Sequence, residues 1–345
     1  MFATSPQPRM GRRSSAVHLS QANRQPLRLP HTSPLQGEAV PSLRPIAAGP
    51  DAVVIAAPAK LNLFLEILGK RPDGYHELET LMLGIDLFDT LEVKSIPEPQ
   101  LRLECEPVSL SNGPDNLVIK AAEALRRQVN RPDLGASIRL TKRIPTQAGL
   151  AGGSSDAAAT LVALNHLWKL NLPKADLALA AAAVGSDVAF FLDLPAGWCT
   201  GRGEIVQPEP LARRLHFVIV CPPIGLGTAD VYRRLTVPAS PLSGEAVRQA
   251  LRNGDLEALG RALHNRLQEP AFALSPPVQD LVRQLTDLRP AGGLMSGSGS
   301  ACFALCRDRD DAQRVAAAIR VRLSQGAFSS TRVLVVQSLA HDDAS

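Results

Sequence analysis

The sequence lacks any apolar run long enough to cross a membrane. Its longest uninterrupted apolar stretches, such as residues 177–185, stop well short of the roughly 20 residues that a membrane-spanning helix needs. Aromatic residues are also few, because the 345-residue chain has nine Phe, two Tyr and two Trp. That number is too small for a surface that stacks single-stranded bases. We therefore exclude a membrane-spanning protein and expect neither a membrane nor a nucleic acid as partner.

Cysteine is rare as well, and its distribution excludes two classes of small domain. The five cysteines are scattered along the chain and form no C-x-x-C pair. This pattern argues against a disulfide scaffold and against a zinc knuckle, and it favours a reducing compartment. The sequence alone indicates no metal ligands.

Acidic residues are nearly absent from residues 1–50, where Glu38 stands against six arginines. The whole chain has a net charge of only +4, so its positive excess belongs to this segment and not to a binding face. The segment is rich in Pro, Ser and Gln, which predicts a disordered basic tail. A transit peptide, a dispensable extension and a start codon assigned too early all fit this composition. We expect a bacterial cytoplasm, or a plastid if the tail is a transit peptide.

From near Val53 onward, strand and helix patterns mix without regular alternation. Alternating apolar residues predict strands over residues 61–68 and 83–93, with the apolar residues on one face. Helical spacing predicts helices over residues 117–129 and 256–267, and another that begins near Asp156. A proline-containing link at residues 208–210 indicates a domain boundary. We predict an α+β protein with two domains, residues 51–210 and 211–340.

A glycine-rich segment, PTQAGLAGGSSD, lies between a predicted strand and a long helix at residues 145–156. The free N–H groups of a first helical turn favour an anion, and glycines let the backbone approach a phosphate closely. The segment is neither a Walker motif nor a dinucleotide-binding fingerprint. A plain strand-to-helix turn explains one such loop equally well. A second loop, GGLMSGSGS at residues 292–300, favours a polyphosphate held from two sides.

Two charged residues stand among apolar neighbours. Lys60 begins the apolar strand in APAKLNL, and Asp187 follows an Ala-rich helix in VGSDVAFFL. A lysine whose charged end reaches solvent and an aspartate that caps a helix are the plainer explanations. Beside a phosphate-binding loop, the two residues predict a general base and its cationic companion. Tyr75, in the turn of GKRPDGYHE, either stacks on a ligand ring or packs over its own strand.

Taken together, these segments resemble the GHMP small-molecule kinases. The likeness covers residues 53–336 and is carried by four segments in order: PAKLNLFLEILGKRPDGYHELETL, PTQAGLAGGSSDAAATLVALN, VGSDVAFF and GLMSGSGSACFAL. The resemblance implies the two-domain GHMP architecture, with an ATP-binding N-terminal domain and the active site in the cleft between the domains. It also implies ATP as phosphoryl donor, Mg²⁺ bound with the nucleotide, and a cytidine diphosphate sugar alcohol as substrate. We expect a monomer or a weak homodimer.

The family's functional residues carry over by position. Lys60 matches the catalytic lysine, and Asp187 matches the aspartate described as general base. Substrate-binding positions fall on Asn62, Tyr75 and His76 and, less securely, on Thr228. The ATP-binding loop falls on a continuous segment: Pro145, Thr146, Gln147, Ala148, Gly149, Leu150, Ala151, Gly152, Gly153, Ser154 and Ser155.

The loop departs from the family pattern at three positions. Gln147, Ala148 and Ala151 stand where glycine is common, which matters only where the backbone needs a positive φ. Two other functions stay open at this point: a GHMP kinase for mevalonate or a sugar, and a non-catalytic GHMP-fold binding protein. RNA binding through the basic tail is a third hypothesis, and it requires salt-sensitive binding that residues 1–50 carry.

Overall fold

A computed structural model describes residues 43–324 and 330–340 of the chain. The strands are β1 (Ile46–Gly49), β2 (Ala52–Lys70), β3 (His76–Ile96), β4 (Leu101–Glu106), β5 (Gly135–Thr141), β6 (Ala196–Thr200), β7 (Ile205–Pro208), β8 (His216–Cys221), β9 (His264–Asn265), β10 (Gly292–Met295), β11 (Cys302–Cys306) and β12 (Arg332–Gln337). The helices are α1 (Leu117–Gln128), α2 (Gly152–Leu167), α3 (Lys174–Val184), α4 (Thr228–Arg233), α5 (Glu245–Asn253), α6 (Leu256–Ala262), α7 (Gln268–Leu274), α8 (Pro276–Thr286) and α9 (Arg309–Ser324). A short 3₁₀ helix spans Ala189–Leu192. The predicted α+β class is confirmed.

Two sheets organise the described residues. The larger has the order β1-β2-β3-β5-β4, with β6 on β3, β7 on β6 and β9 on β2, whereas the smaller has the order β10-β11-β8-β12. Helices α1, α2 and α3 pack with the larger sheet in one core. A second core joins strands of both sheets, and a third joins the smaller sheet with α7, α8 and α9. None of the described helices has the length and apolar character of a membrane span.

The alternating apolar residues of β2 predict a strand with one buried face. The structure instead buries this long strand on both faces. Residues 59–67 are all buried, because this part of β2 lies between neighbouring layers of the fold. Strands covered on both sides carry near-continuous apolar runs, so the alternation at residues 61–68 describes only one of two buried faces. Lys60 and Asn62 are therefore polar residues within a buried strand.

The predicted tail has the wrong boundary. Residues 46–49 form β1, which pairs antiparallel with β2 through Ile46 and Val54, and Leu43 is buried at the edge of the first core. Backbone pairing with an otherwise open strand edge orders these residues, although they lie within the segment predicted to be a disordered tail. Residues 1–42 of the predicted tail lie outside the described residues.

The second half of the chain contributes to both sheets. The predicted helix over residues 256–267 is wrong at its end, because α6 stops at Ala262 and β9 follows, pairing parallel with β2. The Oδ1 atom of Asn265 accepts a hydrogen bond from the Leu267 amide, which competes with helix continuation. The division after residue 210 falls between β7 and β8 and stays a prediction.

Candidate functional site

A cavity of about 1420 Å³ brings the two glycine-rich loops together with Lys60 and Asp187. Every predicted site residue lines it except Leu150 and Ser155. Leu150 is buried in the core that joins the two sheets, and Ser155 is fully buried on α2. Both side chains point away from the cavity, so only their backbones are available to shape the loop.

The helix behind the first loop begins earlier than predicted. Helix α2 starts at Gly152 and not near Asp156, so its first turn contains the residues that the sequence assigns to the loop. The first amide in α2 with a partner is that of Ser155, which donates to the Ala151 carbonyl at 3.0 Å. Within the described residues, the N–H groups of Gly152, Gly153 and Ser154 have no protein acceptor. Three free donors at a helix N-terminus form a site for an anion.

The backbone of this loop is left-handed at three positions. Gln147 and Ala151 each have a φ of 53°, and Gly149 has a φ of 73°. Two of the three residues that depart from the family pattern, Gln147 and Ala151, therefore adopt a backbone that glycine would adopt without strain. Each left-handed residue costs roughly 1–2 kcal/mol of conformational free energy. Ala148 is not among these positions.

Contacts join the first loop to the second. A Cβ atom on Gly149 would lie 2.1 Å from the Ser296 carbonyl oxygen, so only glycine allows this approach. Ser296 Oγ donates to the Gly149 carbonyl at 3.0 Å, and the Ala301 amide donates to the Ala148 carbonyl at 3.1 Å. The predicted pair of glycine-rich loops is thus one continuous wall of the cavity.

Lys60 lies at the centre of the site. Its side chain is only 3% exposed, and its Nζ donates to Asn62 Oδ1 and, at 3.1 Å, to the Gly149 carbonyl. Nζ also lies 3.6 Å from Asp187 Oδ2. Burial lowers the pKa of the Lys60 ammonium, although the nearby Asp187 carboxylate opposes that shift. The carboxylate therefore helps to keep a buried ammonium charged.

Asp187 is the accessible member of this pair. It follows α3, which ends at Val184, and its side chain is 31% exposed. A Cβ atom on Gly203 would lie 3.7 Å from Asp187 Oδ1, so the β6–β7 turn passes close to the carboxylate. A carboxylate that faces the cavity and contacts a buried ammonium can accept a proton from a bound alcohol.

Asn62 is placed beside Lys60. Its Oδ1 accepts from Lys60 Nζ, and its Nδ2 donates to Thr80 Oγ1 at 2.8 Å. Thr80 Oγ1 in turn donates to the Phe64 carbonyl at 2.6 Å. Both ends of the Asn62 amide have a protein partner, and Asn62 also lines the cavity, so its predicted role in substrate binding stays a prediction.

Aromatic rings occupy another part of the cavity wall. The Tyr75 ring is about half exposed, and Arg202 Cζ lies 4.8 Å from its centroid. The His76 and Tyr232 rings lie 5.2 Å apart, and burial lowers the pKa of His76, with Lys70 adding to the effect. Thr228 begins α4 and its Oγ1 lies 2.9 Å from Ser298 Oγ, which ties the predicted substrate-side threonine to the second loop.

The structure adds cavity residues that sequence reasoning missed. Tyr232 and Arg202 line the cavity beside the predicted aromatic residues, and Lys142 and Asp156 line it near the start of α2. The second tyrosine of an aromatic-poor chain and the arginine in GRGE gave signals that could have identified the first two. Asp156, near which the sequence predicts the helix to begin, is buried, and its Oδ2 lies 2.7 Å from Lys142 Nζ.

Lys142 is shared by two buried carboxylates. Its ammonium contacts both Asp89 and Asp156, and Asp89 also accepts the Ile144 amide at 2.9 Å. Asp156 Oδ1 has no partner among the described residues. Burial raises the pKa of Asp156 to about 7, with the second carboxylate adding to the shift and Lys142 opposing it.

This arrangement predicts that Asp156→Asn stabilises the protein at alkaline pH. Some carboxyl groups have a higher pKa in the folded state than in the unfolded state. Such a group destabilises the protein as the pH rises from the unfolded-state pKa to the folded-state pKa, whereas an amide does not ionise and avoids this loss. We expect the melting temperature of the variant to exceed that of the wild type by roughly 2 °C or more at pH 8, and the difference to shrink towards pH 5. Calorimetry at both pH values measures it.

The control for this prediction is Asp89→Asn. Asp89 Oδ1 accepts two backbone amides and its Oδ2 accepts Lys142 Nζ, so an Asn side chain must turn its NH2 group towards one of these donors, which should lower the melting temperature at both pH values. A stabilising effect of Asp89→Asn, or a pH-independent effect of Asp156→Asn, would contradict this account of the two carboxylates.

Comparison with known protein families gives one match in each half of the chain. The model of the GHMP kinases N terminal domain matches residues 116–193, and that of the GHMP kinases C terminal domain matches residues 247–324. A 4-diphosphocytidyl-2-C-methyl-D-erythritol kinase from Pelotomaculum thermopropionicum is 40% identical over 270 residues, covering 78% of this chain and 94% of the relative.

Solved structures agree with this likeness. A crystal structure of 4-(cytidine 5'-diphospho)-2C-methyl-D-erythritol kinase superposes with a TM-score of 0.69 at 34% identity, covering 83% of this chain and 99% of that one. Homoserine kinase from Cytophaga hutchinsonii superposes with a TM-score of 0.67 at 19% identity, covering 85% and 96%. At that identity the second likeness concerns the fold alone.

Proposed function

The chain belongs to the GHMP kinases and, among them, to the family of the 4-diphosphocytidyl-2-C-methyl-D-erythritol kinases, and from that premise we propose its reaction. It transfers the γ-phosphoryl group of ATP to the 2-hydroxyl of 4-diphosphocytidyl-2-C-methyl-D-erythritol, a step of isoprenoid biosynthesis. The observation that carries the proposal is the Lys60–Asp187 pair, 3.6 Å apart in a cavity with three free amides at the start of α2.

The free amides at residues 152–154 receive the triphosphate of ATP. They point out of the first turn of α2, where the helix dipole adds to the attraction for an anion. The two loops are joined at Gly149 and Ser296, so the phosphate-binding wall is rigid before the nucleotide binds. Positioning and electrostatic stabilisation account for most of the rate in phosphoryl transfer.

Asp187 accepts the proton of the substrate hydroxyl. Its partial exposure leaves the carboxylate accessible to the alcohol, and the Lys60 ammonium lies 3.6 Å from it. The same ammonium lies next to the Gly149 carbonyl in the phosphate-binding loop and thus adjoins both the alcohol and the transferred group. Proton removal and charge stabilisation are therefore assigned to neighbouring side chains.

We propose that Mg²⁺ binds together with the nucleotide. Among the described residues, no cluster of three or more His, Cys, Asp or Glu side chains could hold a metal ion. Mg²⁺ in kinases is commonly bound by substrate phosphates together with only one or two protein groups, so the proposed ion enters with the nucleotide. The Ser154 hydroxyl, in the first turn of α2 beside the free amides, would contact the ion, and the ion would neutralise charge on the transferred phosphoryl group.

Tyr75, His76 and Thr228 are proposed to hold the cytidine diphosphate end of the substrate. Arg202 covers one face of the Tyr75 ring, which leaves the other face for a base. His76 is kept neutral by a lowered pKa, so its imidazole can both donate and accept hydrogen bonds. The localisation and assembly expected from the sequence, a bacterial cytoplasm and a monomer or weak homodimer, are proposed with this function.

ADP release with a panel of alcohols tests the proposal. The purified chain is given ATP, Mg²⁺ and either the cytidyl substrate, mevalonate, homoserine or galactose. Turnover confined to the cytidyl substrate supports the proposed reaction. Turnover of another alcohol would assign a different GHMP kinase, and no turnover of any would favour a binding protein.

Replacing Tyr75 by Ala is expected to raise the KM for the cytidyl substrate about tenfold or more, because base stacking on the ring is lost. The KM for ATP should not change, since the free amides of α2 form a different part of the cavity. Steady-state kinetics with each substrate varied in turn measures both constants. Tyr75→Phe keeps the ring and should behave like the wild type, whereas a rise in both KM values for Tyr75→Ala would contradict the assignment.

A further inference from the structure

A buried asparagine outside the cavity holds the second glycine-rich loop. Asn265 is only 4% exposed, and its Nδ2 donates to the carbonyls of Met295 and Gly297, each at 2.8 Å. Its Oδ1 accepts the Leu267 amide at 2.9 Å. The side-chain amide thus fixes the backbone at two points of the loop, and no role in the reaction has been assigned to it so far.

The two fixed carbonyls lie on either side of Ser296. Ser296 Oγ donates to the Gly149 carbonyl at 3.0 Å, and the same carbonyl accepts Lys60 Nζ at 3.1 Å. The backbone N–H of Asn62 also donates to Ser296 Oγ at 3.4 Å. The position of Ser296 is therefore coupled to the position of the Lys60 ammonium through one shared acceptor.

Glu66 contacts the residues that flank Asn265 in the chain. Its carboxylate is fully buried and accepts two hydrogen bonds of 2.7 Å from Arg266, and it lies 3.2 Å from His264 Nε2. These partners are the two chain neighbours of Asn265. The Arg266 amide also donates to the Leu65 carbonyl at 2.8 Å, which fixes β9 against β2. The asparagine is consequently anchored to the strand that carries Lys60.

We propose that Asn265 is a positioning residue for phosphoryl transfer, which sets the Lys60 ammonium beside Asp187 by holding the backbone on both sides of Ser296. The inference rests on the proposed kinase function. Asn265 does not line the cavity, so it acts through the loop and not on the substrate. Errors of about 1 Å in such an arrangement can cost roughly 100-fold in rate.

Asn265→Asp tests this role with a nearly isosteric change. The carboxylate cannot donate to the two carbonyls and repels them. We expect kcat to fall about 10- to 100-fold while the KM for the cytidyl substrate changes little, because Tyr75 and His76 lie on another segment. Asn265→Ser keeps one hydrogen-bond donor and should give an intermediate kcat. If Asn265→Asp does not fold, the kcat of Asn265→Ser tests the positioning role instead.

Asn165→Asp is the matched control. The Asn165 amide also donates to a backbone carbonyl and accepts a backbone amide, both of Leu172, but it lies outside the cavity and its loops. Its kcat should equal that of the wild type. If Asn265→Asp and Asn265→Ser turn over like the wild type, or if Asn165→Asp loses the same activity, the inference is overturned. An inactive wild type would instead refute the proposed function.

Discussion

Replacing Asp187 by Asn is expected to lower kcat at least about 100-fold, the low end for loss of a general base. The amide has nearly the same shape and still faces the cavity, but it cannot accept the hydroxyl proton. The KM for ATP should change little, because the free amides of α2 do not depend on this side chain. Single-turnover measurements at saturating substrate separate this loss of chemistry from any change in binding.

Asp193→Asn is the control for that experiment. Asp193 follows the same apolar segment and pairs with the exposed Lys174, outside the cavity. The variant removes a carboxylate charge without changing the cavity, so it should keep the wild-type kcat. Near-normal turnover of Asp187→Asn would refute the general-base assignment without refuting the kinase.

Local sequence patterns predicted the parts of the fold that depend on local physics. The helix predicted over residues 117–129 forms as α1, and the Asn116 side chain caps its first turn by accepting the Val118 amide. The coming together of Lys60, Asp187 and the two loops was expected from their local sequence surroundings and from the family resemblance. No pattern along the chain specifies the distances between them, because these residues are far apart in sequence.

Patterns along the chain could not predict contacts that depend on distant segments. Helix α2 begins at Gly152 although Ala151 is left-handed and offers no side-chain cap, because the joined loops fix that turn. Strand β9 interrupts an apparently continuous helix, because β2 offers it a backbone partner and Glu66 offers its neighbours a charge partner. Asn265 gave no local signal at all, since its function depends on carbonyls 30 and 32 residues away.

Replacing Lys60 by Met is expected to separate activity from stability. We expect kcat to fall about 100- to 1000-fold, the usual cost of removing one preorganised charge or donor from a reacting centre. The melting temperature should change little, because Met fills a similar volume, and the gain from removing a buried ammonium is offset by the loss of its hydrogen bonds to Asn62 and Gly149. Asp187 keeps its hydration in this variant because it is partly exposed.

Lys142→Met is the matched comparison for stability. Its ammonium lies between two buried carboxylates, so removing it leaves Asp89 and Asp156 facing each other and should lower the melting temperature. The double variant Lys60→Met with Asp187→Asn should lose much less activity than the product of the single losses, since the two side chains act as a unit. If the activity losses of the two single variants multiply fully in the double variant, the ammonium and the carboxylate act independently. A loss of stability in Lys60→Met would mean that the lysine stabilises the fold.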